Sequence, residues 1–187
     1  MKVNIFDLKF EDDFIEKFKT GCEKILRSDG IGEHSHVKEF ENKFGKLVNA
    51  KHAIATTSGT AALEIALKTV GAQGKEVILP SNTFFATSVA VTNAGGTIRL
   101  VDSEIDNFSI CPKSLRQNMH SGVGAVIVVH IGGIISKNIR EIKDICDEWN
   151  VPLIEDAAHA HCSNRDGLYA GTIGDVGCFS FFPTKVM

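Results

Sequence analysis

Pro152-Leu153-Ile154-Glu155-Asp156-Ala157-Ala158-His159 is a short apolar run that ends in two adjacent acids. A run of this length, closed by polar residues, reads as a buried strand with a carboxylate at its carboxyl end. Similar runs fall at His52–Thr56, Glu76–Leu79, Thr97–Val101, Ala125–His130 and Val176–Phe181. Helical spacing separates most of them, over Thr60–Val70, Phe84–Thr92, Pro112–Met119 and Lys137–Asn150. Strands alternating with helices of this length predict an α/β sandwich around a mostly parallel sheet. Ligands of such sheets collect at the carboxyl ends of the strands, where Asp156 stands.

Upstream of the alternating region, Phe14, Ile15, Phe18, Cys22, Ile25 and Leu26 predict a helix over 11–27. Val37, Phe40, Phe44, Leu47 and Val48 predict another from Ser35 to Val48, with Ser28–Gly32 as the loop between. The net charge of −3, with no stripe of Lys and Arg, argues against a nucleic-acid partner. Cys22, Cys111, Cys146, Cys162 and Cys178 form no CxxC pair, which suggests reduced thiols in a cytoplasmic protein. The first residues carry no apolar core of a signal peptide. Val123–Ile135, the longest apolar stretch, is broken by Gly124, His130, Gly132 and Gly133, so no membrane span is expected.

Three constellations could carry chemistry. Thr57-Ser58-Gly59-Thr60 follows a predicted strand and opens a helix. Gly59 would admit a ligand close to the backbone, and the helix start with Ser58 and Thr60 would favour an anion. The plainer reading is a helix N-cap. In Pro80-Ser81-Asn82-Thr83-Phe84-Phe85, an aromatic at the strand end could stack on a flat ring, although Phe84 and Phe85 also suit a core. The third pairs Asp156 with Lys185, which follows Ser180-Phe181-Phe182-Pro183-Thr184. A pyridoxal-phosphate (PLP) site needs a carboxylate against the pyridine nitrogen and a lysine for the Schiff base. Ala158 is small enough to lie under the ring, and Ser180 could add a phosphate donor. Alternatively Asp156 caps a helix and Lys185 is a solvated surface lysine.

Other patterns carry less. His159, His161, Cys162 and Asp156 have zinc-ligand chemistry but no distant fourth ligand, so no metal is expected. Gly71-Ala72-Gln73-Gly74-Lys75-Glu76 is too short for a P-loop and has Glu where Ser or Thr must follow the lysine. Gly30-Ile31-Gly32 is half of a dinucleotide fingerprint without a preceding strand.

Taken in order, the segments resemble the DegT/DnrJ-type sugar aminotransferases, a group of fold-type I PLP-dependent enzymes. The likeness runs through Val37-Lys38-Glu39-Phe40-Glu41, Ser58-Gly59-Thr60-Ala61-Ala62-Leu63, Glu76-Val77-Ile78-Leu79-Pro80 with Thr83-Phe84, and Val101-Asp102. It continues through Val129-His130-Ile131-Gly132-Gly133, Glu155-Asp156-Ala157-Ala158-His159, Gly174–Phe181 and Lys185. The resemblance implies a three-layer large domain over 36–187, preceded by a helical arm over 1–35. It implies that Ser58, Gly59, Thr60 and Ser180 bind the cofactor phosphate, and that Phe84 and Ala158 flank the ring. Asp156 would hold the pyridine nitrogen, His159 would lie near O3′, and Lys185 would be the Schiff-base and proton-transfer lysine. Relatives with histidine at that last position are dehydratases, so lysine points to amino transfer.

The implied activity moves an amino group from an amino acid such as glutamate to a nucleotide-linked keto sugar. Such products feed polysaccharide or glycosylated natural-product synthesis. The implied assembly is a homodimer in the full-length form. Two departures stand out: Cys162 where relatives often carry glycine, and an ending at Met187, ahead of the family's later sheet and small C-terminal domain. The ending leaves a second expectation open, a non-catalytic remnant that binds ligand or partner without turnover.

Overall fold

The computed structural model describes residues 9–28 and 35–185. A parallel sheet of order β2-β1-β3-β4-β7 is built from β1 (Glu76–Pro80), β2 (Thr97–Val101), β3 (Val123–Val129), β4 (Leu153–Asp156) and β7 (Val176–Cys178). Between β4 and β7 the chain makes a small antiparallel hairpin, β5 (Asn164–Arg165) and β6 (Leu168–Tyr169). Its turn is Asp166-Gly167, both at positive φ, the pairing a two-residue hairpin turn favours. The helices are α1 (Asp12–Leu26), α2 (Ser35–Leu47), α3 (Gly59–Thr69), α4 (Phe85–Asn93), α5 (Pro112–Asn118) and α6 (Ile139–Glu148).

Strand periodicity divides the core into two layers. Val77, Leu79, Ala125, Ile127, Val129 and Ile154 face one side, with Leu63 and Leu67 of α3 and Ala90 and Val91 of α4. Ile78, Val126, Val128 and Leu153 face the other, with Leu115 of α5 and Ile139, Ile142 and Ile145 of α6. Covered on both faces, β3 is buried along its whole length, which explains its unbroken apolar sequence. The three-layer α/β sandwich read from the sequence is therefore the observed fold. Among the described residues no helix is long and apolar enough to cross a membrane.

Helix α2 docks through aromatic edges. Phe44 meets Phe179 and Phe181 at centroid distances of 5.0 and 5.2 Å, and Phe40 meets Phe181 at 5.1 Å.

Two predicted strands differ. His52–Thr56 forms no strand: Ile54 is 83% exposed, and the Ala55 N–H is taken by the Glu41 side chain at 2.8 Å. A strand exists only against a ladder partner, and this segment has none among the described residues. Val176–Phe181 shortens to Val176–Cys178, because Cys178 already lies level with Asp156, the last residue of β4. Most of the Ser28–Gly32 loop and the extreme N-terminus lie outside the described residues.

Candidate active site

Alternation along β4 decides which acid faces which layer. Leu153 and Glu155 point toward α5 and α6, while Ile154 and Asp156 point toward α3 and α4. Asp156 is 7% exposed at the carboxyl end of the strand. Its Oδ2 accepts from the Thr87 hydroxyl of α4 at 2.8 Å, and its Oδ1 from the Ala158 N–H at 3.2 Å. Thr83 Oγ1 lies 2.7 Å from Thr87 Oγ1. Because the Thr87 hydrogen goes to Asp156, Thr83 donates to Thr87, and a relay of hydroxyls aims the carboxylate.

His159 follows on the loop after β4 and feels both charges of the predicted pair. Burial, and after it the positive charge of Lys185, hold the imidazole below its ordinary value of 6.5, while Asp156 pulls the other way. Its Nδ1 accepts from the Gly132 N–H at 3.4 Å, which leaves the hydrogen of the neutral ring on Nε2.

The second half of the site is the start of α3. Ser58 is its N-cap, with Oγ accepting from the Ala61 N–H at 3.1 Å, so the N-cap reading of this residue holds. The first intrahelical bond runs from Ala62 N–H to the Ser58 carbonyl, so the N–H groups of Gly59 and Thr60 stand ahead of it. Gly59 permits a close approach. A Cβ there would stand 3.0 Å from Ser180 Cβ and 3.2 Å from the Phe179 carbonyl oxygen. The fold thus brings Ser180 to the helix start.

Phe84 and Phe85 correct an expectation. Neither is a core residue: they are 58% and 66% exposed, with ring centroids 4.3 Å apart at the mouth of α4. Phe84 caps α4 and Phe85 opens it, and residues at the start of a helix that begins at the sheet's carboxyl end project past the layer rather than into it. The zinc alternative also separates. No three His, Cys, Asp or Glu among the described residues converge on a metal position. Asp156 turns to Thr87, and His161 is enclosed by Phe44, Phe179 and Phe181.

The sequence profile of the DegT/DnrJ/EryC1/StrS aminotransferase family matches residues 12–187. The chain belongs to this family. GDP-perosamine synthase of Vibrio cholerae is 33% identical over 153 residues, covering 81% of this chain and 41% of that one. The aminotransferase from Psychrobacter cryohalolentis superposes with a TM-score of 0.86 at 28% identity, over 96% of this chain and 45% of the other. NtdA from Bacillus subtilis, solved with bound cofactor PMP, gives 0.82 at 29% identity, over 94% and 39%. The chain spans less than half the length of each of these three proteins.

As a DegT/DnrJ-type sequence, the chain explains its own departure at Cys162. That residue has φ 59°, the left-handed region where glycine sits without strain. Three site neighbours were given no supporting role in the sequence reading. Thr87 could have been found one helical turn beyond Thr83. Glu155 could have been found because two adjacent acids closing a buried strand must each have donors. His161, weighed in the sequence only as a zinc ligand, is 6% exposed with neither ring nitrogen hydrogen-bonded, and its setting depends on α2.

Proposed function

We propose that this chain forms the PLP-binding part of an aminotransferase that transfers an amino group from an amino acid such as glutamate to a nucleotide-linked keto sugar. Residues 36–187 would be its large domain and residues 1–35 a helical arm. The observation that carries the reading is the buried Asp156 carboxylate at the end of β4, aimed by Thr87 and Ala158.

The residues fit the cofactor. The close approach of Ser180 to Gly59 gathers donors at the start of α3, where a phosphate would be held by the Gly59 and Thr60 N–H groups and by the hydroxyls of Ser58, Thr60 and Ser180. Asp156 would accept a hydrogen bond from the ring nitrogen and favour its protonated form. Ala158 would lie against one face of the ring and exposed Phe84 against the other, with His159 near O3′. When bound, pyridoxal phosphate supplies an aldehyde that condenses with amines and a ring that accepts electrons. Lys185 Nζ would anchor it and, once released by a substrate amine, would carry a proton to and from the substrate carbon.

Likeness to GDP-perosamine synthase supports a nucleotide sugar as the acceptor. A homodimer in the cytoplasm, serving polysaccharide or natural-product synthesis, completes the reading. The test is incubation with PLP, borohydride reduction and peptide mapping. A pyridoxyl group on Lys185, absent in Lys185→Ala, is expected, together with glutamate-dependent conversion of the bound cofactor. Label spread over surface lysines would overturn the proposal in favour of a remnant without turnover.

A further inference from the structure

Glu155 is a fully buried acid that the Asp156 site leaves unused. Its Oε1 accepts from the N–H groups of Ile173 and Gly174, each at 2.7 Å. Its Oε2 accepts from the Gly171 N–H at 2.8 Å and lies 2.8 Å from His130 Nε2 on β3. Three backbone donors fix the group as an acceptor, so Nε2 carries the imidazole hydrogen. Among the described residues no Lys or Arg pairs with the Glu155 carboxylate. A buried carboxylate without one is costly, and an apolar residue would pack here at less expense.

Those donors belong to the turn between β6 and β7. A Cβ on Gly171, at φ 84°, would collide with the Phe179 ring, and one on Gly177 would collide with the Gly171 carbonyl. The turn is therefore pressed onto β7 and the residue that leaves it. The next residue is Ser180, against Gly59, and the chain continues to Lys185.

We propose that Glu155 is a positioning residue for the cofactor site. Its carboxylate clamps the Gly171–Gly174 turn to β4, and the turn sets the path along which β7 delivers Ser180 to α3 and then Lys185 to Asp156. The inference rests on the PLP reading above. The two acids of β4 divide the work: Asp156 faces the cofactor, and Glu155, on the opposite face, holds the segment that brings the lysine.

The experiment compares wild type and Glu155→Gln in the whole protein. Glutamine keeps an acceptor for Ile173 and Gly174 but turns an amide donor toward Gly171. Expected are an intact circular dichroism spectrum, faster hydrogen exchange at Gly171 than at Ile173 and Gly174, and PLP binding weakened about tenfold, the effect of losing one hydrogen bond to a charged group. Ile142→Val on α6 removes one methyl group and touches no Glu155 hydrogen bond, so it serves as a control for lowered stability and should keep wild-type PLP affinity. Equal PLP affinity in wild type and Glu155→Gln, or an equal loss in the Ile142→Val control, would overturn the clamp. If Glu155→Gln does not fold, Phe179→Leu keeps every Glu155 hydrogen bond and removes the ring that Gly171 packs on. It should weaken PLP binding similarly, and unchanged binding there would also overturn the clamp. Absence of a Lys185 adduct in wild type marks failure of the PLP reading itself, whereas a wild-type adduct with unaffected variants marks failure of the clamp alone.

Discussion

Helices α1 and α6 are written in the same amphipathic grammar and meet opposite fates. Asp12–Leu26 carries Phe14, Ile15, Phe18 and Leu26 and buries none of them, whereas Ile139–Glu148 buries Ile139, Ile142, Ile145 and Cys146 against the sheet. The difference lies in the neighbours. Helix α6 has one face of β3 and β4 waiting for it, while Phe14 of α1 stacks with Phe18 and with Phe10 just ahead of the helix, at centroid spacings of 6.5 and 5.2 Å. A stripe specifies a helix, and only a partner turns the stripe into stability. The sharpest test is Ile142→Ala, which opens a cavity at a fully buried position. A loss of about 2–5 kcal/mol in chemical denaturation is expected. A loss below about 1 kcal/mol would remove the contrast by making α6 as dispensable as α1 appears in isolation.

The same distinction governs what was legible in the sequence. The strands Glu76–Pro80 and Leu153–Asp156 were readable because covering both faces leaves an apolar run bounded by turns. Asp156 and Lys185 were readable as types at the ends of such runs. The segment His52–Thr56 misled because its alternation is local and ladder pairing is not. The partners of Glu155, Thr87 and His161 were not legible for a related reason. Each draws its setting from a segment distant in sequence: the Gly171–Gly174 turn, β4, and α2 with Phe179 and Phe181.

Helix α2 stands between the extremes, and His161 is the place to measure how firmly it docks. Phe44, Phe179 and Phe181 surround the ring at centroid distances of 6.3, 5.5 and 5.1 Å. Burial holds the imidazole below its ordinary value of 6.5, with Lys185 and His159 pushing it further down and the Ser180 backbone opposing. The unfolded chain therefore takes up its proton first as pH falls. Stability is complete above pH 6.5 and declines below it until the folded ring protonates as well. His159 is lowered too and contributes in the same sense. In His161→Phe the cage keeps an aromatic ring without the titrating group. Its Tm should fall less than that of wild type between about pH 7.5 and about pH 5.5. Parallel curves would mean that α2 does not seal His161 from solvent, and α2 would then group with α1.

The smallest effect is expected where the sequence pattern is most conspicuous. Phe14 is 52% exposed and Phe18 is 64% exposed, and their main apolar neighbours are each other and Phe10. Phe14→Ser loses one stacked ring contact and little burial, so its change in unfolding free energy should stay within about 0.5 kcal/mol, as for an ordinary surface position. The helix itself should persist, because the ion pairs Lys17–Asp13, Lys19–Glu16 and Arg27–Glu23 lie on its charged face and are untouched. The same substitution in the whole protein sharpens the comparison. If the loss there rises to about 2 kcal/mol or more, the stripe is covered by a surface that residues 9–28 and 35–185 do not supply. The contrast between α1 and α6 would then be one of which partner covers each helix, with the apolar stripe equally used in both.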